Sequence, residues 1–482
     1  MNILLYNFVQ FDEAGSPGGG VTVYLRNLVN ELINQGHRVI FLSSGDRYDF
    51  FNKEPYLKTY HDDNLLTRCI IYNSPFVAPS ASSFHKPDIF TSNDELDFLA
   101  EELFYNIPNI DVFHFHNIEG LTSSFIKKLK DKYNSSKFIY TVHNYNLLCM
   151  QVNLWYKDSE NCLDYSLGRN CINCVGYNDI SSHEKKVKIL YSILKKAISD
   201  EFFFGKLIYG VSRKIYKKYR IFFNNKNHTP VSDVNRINEN SLKFINFRRN
   251  NFDLCSNVFD NIICVSERTK EVLLNFGFEN KKITVEYIGT KFYSNFKDTK
   301  LKCEFNDKMC IGYLGYMRAD KGFDFFINAL DKMPEILANK LEVVIAAKFR
   351  DEVTVKKIES LKSKFNKIHL YDGYNHVNIY EIMNLIDLGI IPVQWEDNLP
   401  QVAIEFVANG IPILVSNLGG PSEIFNKDNK FIFHHNDEKE FYRKLDYLCF
   451  DTHNLSKFWD NKINIFSIKS HLDKLLKLYY IK

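Results

Sequence analysis

Residues 395–423 read WEDNLPQVAIEFVANGIPILVSNLGGPSE. Pro400 suits the first turn of a helix, where a missing N–H costs nothing, and Gly410 suits the position just past its end. ILVS, residues 413–416, then reads as a short buried strand. Glu405 interrupts the apolar run VAIEFVA. A carboxylate in that place is either satisfied by a local base or kept for a ligand, because burying it ionised and unpaired is costly. A second acid, Asp397, precedes it by eight residues. At ~1.5 Å rise per residue the two acids stand roughly 10–12 Å apart. The helix N-terminus between them offers free N–H groups and a partial positive charge to a phosphate. A ligand with a sugar at one end, a diphosphate in the middle and a ribose at the other matches that spacing.

Outward from this stretch, the second half of the chain repeats one rhythm. MCIGYLGY is a strand, MRADKG a loop and FDFFINALDKM a helix; LEVVIAA, KIHLYDG, LGIIPV and IPILVS follow as strands between helical segments. That is a doubly wound parallel sheet over about residues 306–455. The first half starts the same way. ILLYNF is a strand, FDEAGSPGGG a loop, VTVYLRNLVNELINQ a helix ended by Gly36, and RVIFLSS a second strand. IDVFHFH and KFIYTVH extend that sheet, and the pattern resumes at NIICVSERTKEVLLNFGF after an interruption at about 145–250. We therefore expect an α/β protein with two Rossmann-like domains facing a cleft. They should occupy 1–290 and 306–455, with a linker at 291–305 and a final amphipathic helix in 456–482.

Composition narrows the class. At 482 residues the chain is too long for one core. A net charge of +3 gives no global nucleic-acid footprint, so nucleic acid is not an expected partner. The opening MNILLYNFVQF lacks a basic n-region, and no apolar run reaches the ~20 residues needed to span a bilayer. Ten cysteines, scattered apart from one cluster, suit a reducing cytoplasm.

Other candidate groups lie at strand ends and in loops. Gly18, Gly19 and Gly20 let the backbone approach a ligand at a helix N-terminus, or form a flexible turn. Arg318 and Lys321 in YLGYMRADKG offer cations to a leaving diphosphate, or cap the following helix as a solvated turn. His114 and His116 point to one face of their strand, and His143 ends the next. Paired histidines suit a metal, but no third ligand stands nearby in sequence. Cys149, Cys162, Cys171 and Cys174 run C-x12-C-x8-C-x2-C and read as a structural zinc site, with free thiols as the next reading. Lys185–Phe223 mixes basic, aromatic and aliphatic residues. Its plain reading is a helical pair with a solvated face; its sharper one is a surface resting on anionic lipid.

Taken together, Asp397-x7-Glu405, GIPILVS, Gly419-Gly420 and Glu423 resemble the retaining glycosyltransferases of family 4, which carry a Glu-x7-Glu motif and the GT-B fold. Here the first acid is Asp. The Lys321-Gly322 pair, and Gly19-Gly20 followed by Gly36-His37-Arg38-Val39, resemble the same family. Its arginine more often sits where this chain has Tyr316, which makes Arg318 a shifted candidate. The resemblance implies sugar transfer from a nucleotide-sugar to an acceptor hydroxyl, with retention and without a catalytic metal. It implies His116 and Asp397 as catalytic residues. Gly19, Gly20, His143, Arg318, Lys321, Asn398, Leu399 and Glu405 are the implied substrate contacts. It further implies a final helix crossing back to the first domain, and an acceptor that is a glycan or lipid-linked glycan of bacterial surface polysaccharide or lipopolysaccharide. Such an enzyme is cytoplasmic and peripheral at the inner membrane. The same motifs also suit a GT-B nucleotide-sugar epimerase, or an inactive homologue serving as a binding subunit.

Overall fold

The runs NILLY, RVIFLS, VFHF and KFIYTV are apolar almost throughout, without the alternation of a half-exposed strand, so they form strands covered on both faces. The computed structural model describes residues 1–11, 19–45, 47–49, 52, 54–76, 86–164, 167–176, 239–293, 296, 301–302, 305, 307–374 and 378–480. The basic stretch Lys185–Phe223, Gly18 and much of the expected linker lie outside the described residues.

In the first domain the strands are β1 (Asn2–Tyr6), β2 (Arg38–Ser43), β3 (Tyr56–His61), β4 (Leu66–Tyr72), β5 (Val112–Phe115) and β6 (Lys137–Val142). A small hairpin of β7 (Trp155–Tyr156) and β8 (Glu160–Asn161) follows, then β9 (Asn261–Cys264) and β10 (Ile283–Val285). The main sheet runs β10-β9-β6-β5-β1-β2-β4-β3 and is parallel except for its last pair. That antiparallel edge, β3 against β4, is an addition to the strands read from the sequence. Its outer strand is half exposed, so it lacks the apolar run that marks the others. Between β1 and β2 the helix Gly19–Asn34 buries Tyr24, Leu25, Leu28, Val29 and Leu32 at helical spacing.

β11 (Gly289–Thr290) leads into the second domain. There β12 (Met309–Tyr316), β13 (Leu341–Lys348), β14 (Ile368–Asp372), β15 (Leu388–Ile391), β16 (Ile413–Ser416) and β17 (Ile432–Phe433) form an all-parallel sheet. Its order is β14-β13-β12-β15-β16-β17. The chain returns through β18 (Phe466–Ser467), which pairs with β11. The helix Ile468–Tyr480 then packs on the first domain, with Tyr479 Oη 2.6 Å from His114 Nδ1 and His471 Nε2 2.8 Å from Tyr24 Oη. Among the described residues no helix is long and apolar enough to cross a membrane.

Across the interface, the Glu423 carboxylate accepts from the N–H groups of Glu267 and Arg268 and from Tyr287 Oη, each at 2.8 Å. It thereby caps the helix Glu267–Asn275 of the opposite domain. Arg268 adds a two-pronged contact to Glu396 at 2.9 and 2.7 Å. These bonds clasp the domains at one end of the space between their strand ends.

Candidate active site

The parallel strands of both sheets end toward a cleft of about 980 Å³ between the domains. In such sheets the C-terminal strand ends and the helix N-termini that follow them collect ligands.

The helix Gln401–Ala408 forms one wall. Pro400 caps it in extended conformation, one position earlier than the first-turn placement read from the sequence, and Gly410 follows its end at φ +74°. Ala403, Ile404, Phe406, Val407 and Ala408 face the core. Glu405 turns to the cleft yet is only 7% exposed. Among the described residues no hydrogen bond reaches its carboxylate. Desolvation pushes its pKa up to about 7, with Lys291 pulling weakly the other way. A local ion pair, the plainer reading of this acid, is absent among the described residues.

Asp397 sits in the loop before that helix, with Oδ2 2.5 Å from Lys321 Nζ. Lys321 also stands 4.8 Å from the Trp395 ring centroid, so its ammonium is held between an acid and an aromatic face. The Gly419-Gly420 turn supports this loop from behind. Gly420 N donates to Asp397 O at 2.8 Å, and a Cβ on Gly419 (φ +70°) would lie 2.0 Å from that same oxygen. Glycine is required there for the loop to be approached so closely.

Arg318 goes elsewhere. Its guanidinium grips Asp320 at 2.9 and 2.7 Å, its side chain is 57% exposed, and it is absent from the cleft wall. Asp320, two residues on in the same turn, captures it. Tyr316 lines the cleft in its place. Arg318→Ala is therefore expected to change donor affinity and kcat by less than about threefold, as for other exposed ion pairs. Titration calorimetry and initial rates check this, and a larger loss would return Arg318 to the site.

The first domain contributes Gly19 and Gly20. They face Tyr316 and Gln401, and a Cβ on Gly20 would come 3.2 Å from Gln401 Cβ. The histidines divide otherwise than expected. His116 is fully buried, its Nδ1 is 3.1 Å from His143 Nε2, and it does not reach the cleft. His143 does line it. His114 within β5 is closed in by Tyr479 and His116, just past its end, by Tyr24, while His143, just past the end of β6, keeps one side toward the cleft. Burial lowers the His143 pKa to about 3, which keeps the imidazole neutral near pH 7.

Leu399 and Asn398 line the cleft. The Asn398 amide is partly committed to the domain interface, donating to Val142 O at 3.3 Å. Its Oδ1 and the Gln401 Nε2 are buried without a hydrogen-bond partner among the described residues. Gln401, Tyr24, Tyr374 and the Lys348–Asp372 pair (2.7 Å) are wall residues the sequence reading missed. Lys348 and Asp372 end β13 and β14, so the strand-end rule applied to every strand would have found them. The four cysteines stand apart from the cleft, around a separate small cavity.

Residues 297–463 match the family described as Glycosyl transferases group 1, and residues 18–162 match Glycosyltransferase Family 4. No curated protein sequence matches the chain. Among solved structures, sucrose-phosphate synthase from Thermosynechococcus elongatus is similar at 13% identity and a TM-score of 0.56, over 99% of this chain and 98% of that one. A glycosyltransferase from Rickettsia africae is similar at 16% and 0.54, over 99% and 97%. Anabaena HepE in complex with UDP is similar at 12% and 0.53, over 99% of each chain. The chain thus joins two glycosyltransferase domains in a GT-B fold.

Proposed function

We propose that the protein transfers a sugar, of hexose type, from a nucleotide-sugar to an acceptor hydroxyl with retention at the anomeric carbon. The observation that carries this reading is Glu405, a desolvated carboxylate with no protein donor among the described residues, facing a cleft beside a helix N-terminus. A ribose diol supplies the two donors that such a group lacks. The N–H groups opening the helix Gln401–Ala408, with Lys321, receive the diphosphate and stabilise its growing charge as the glycosidic bond breaks. Asp397 orients the transferred sugar while holding Lys321 in place. Neutral His143 stands on the acceptor side of the donor, and His116 acts behind it as a positioning residue.

Retention is read as departure of the diphosphate and attack of the acceptor on the same face, with closure of the domains excluding water. The acceptor is read as a glycan or lipid-linked glycan of surface polysaccharide, met at the cytoplasmic side of the membrane. That part rests on the family resemblance alone. UDP, bound by Anabaena HepE, is the first nucleotide to try.

Thermal shift with UDP-, GDP-, ADP- and dTDP-sugars is expected to give one stabilising class. NMR of the product formed from that donor is expected to show the donor's anomeric configuration. An inverted product would sink retention, turnover of the donor without any acceptor would favour an epimerase, and no stabilising class would sink the donor site.

A further inference from the structure

Cys149 follows His143 by six residues, Cys162 follows β8, and Cys171 and Cys174 lie on the short helix Cys171–Val175. These segments bring all four to the wall of one cavity of about 20 Å³. That volume takes a single small ion or water and leaves no room for a multi-iron cluster.

Beside it lies Arg248, from the helix Glu239–Asp253, only 1% exposed. Its Nε donates to Leu148 O at 2.6 Å, Nη1 to the Asp164 backbone O at 2.8 Å and Nη2 to Cys171 Sγ at 3.4 Å. Among the described residues no salt bridge forms to this guanidinium. Asp164, which also lines the cavity, is one acidic neighbour of this buried cation, and thiolates on the four cysteines beside it would add further negative charge. Two further donors already address sulfur: Lys157 N–H at 3.2 Å and Gln151 Nε2 at 3.4 Å, both to Cys174 Sγ. None of the four cysteines is in a disulfide.

We propose that this cavity is a structural zinc site, with Cys149, Cys162, Cys171 and Cys174 as ligands and Arg248 offsetting the charge of the tetrathiolate. Four thiols release four protons to solvent as one Zn²⁺ binds, leaving a centre of net charge −2 that the Arg248 guanidinium and the N–H donors face. Four soft sulfurs around a one-ion space favour zinc over hard cations. Among the described residues no three His, Cys, Asp or Glu side chains stand close enough together to hold a metal ion as placed, so the proposal requires the sulfurs to move closer when zinc binds. The metal then ties the chain just beyond His143, on the cleft wall, to the short helix Cys171–Val175, beside the helix that carries Arg248.

The full chain, purified without chelator, is expected to hold about one zinc per molecule by elemental analysis. Exchange for Co²⁺ should give the intense sulfur-to-cobalt absorption of a tetrahedral thiolate centre. Cys174→His keeps a ligand and should retain the metal, whereas Cys171→Ser should lose it. Arg248→Gln should weaken zinc affinity about 10–100-fold, as loss of a supporting contact does. The wild-type metal content and cobalt spectrum decide the matter by themselves even where Cys171→Ser does not fold. Zinc below about a tenth of an equivalent with no cobalt–thiolate band, or one iron in place of zinc, overturns the assignment.

Discussion

Glu405→Gln is expected to lower kcat/KM by about 10²–10³-fold while making the unliganded protein more stable above pH 7. A ribose diol presents two O–H donors, and an ionised carboxylate accepts both. Hydrogen bonds to a charged group contribute about 1.5–3 kcal/mol each, and an amide keeps only one acceptor. Stability moves the other way because the wild-type carboxylate is desolvated. Its folded pKa, about 7, lies above the 4.5 of the unfolded chain. Between those values the folded protein keeps a proton that the unfolded chain has released, so stability falls as pH rises through this window. Above it the penalty is complete, on the order of 3 kcal/mol. Urea midpoints at pH 5 and pH 8, with initial rates at saturating acceptor, test both halves. If kcat/KM stays within about threefold of wild type, Glu405 does not hold the donor.

Lys321→Met is expected to reduce kcat by about 10²–10³-fold, the loss seen when one charge-stabilising donor is removed from a reaction centre. The same change leaves Asp397, whose side chain is 7% exposed, without its ammonium partner. Loss of about 2–3 kcal/mol of stability should follow, somewhat below the cost of breaking a fully buried pair because Lys321 is 27% exposed. Adding Asp397→Asn separates the two effects. The double variant should recover stability, since the stranded charge is gone, while kcat remains low. Normal kcat in a destabilised Lys321→Met protein would make Lys321 a structural partner of Asp397 and remove it from the diphosphate.

The Glu405 and Lys321 predictions start from features legible in the sequence. Glu405 is conspicuous because an acid in an apolar helical run must answer to something. Lys321 and Asp397 are each visible in their loops, although their 2.5 Å contact is not. Tyr316 and Arg318 show the limit: one ends β12 and the other follows two residues later, and only the folded turn shows that Asp320 draws the guanidinium out of the cleft. The family resemblance likewise ranks His116 above His143, because a motif places a residue along the chain and says nothing about what covers its side chain.

What the amino-acid order determined by itself is the architecture. Parallel strands buried on both faces, and helices that cover them, are written in continuous apolar runs and in the 3.6-residue period, which depend only on near neighbours in the chain. Strand ends, glycine turns and the acid in the Gln401–Ala408 helix are local for the same reason. Tertiary structure alone decided which of these groups meet. The capping of Glu267–Asn275 by Glu423, the shielding of His114 by Tyr479 and the gathering of four cysteines around Arg248 join residues tens to hundreds of positions apart. Such contacts are set by how the domains and the final helix close on one another, and no short-range periodicity encodes that closure.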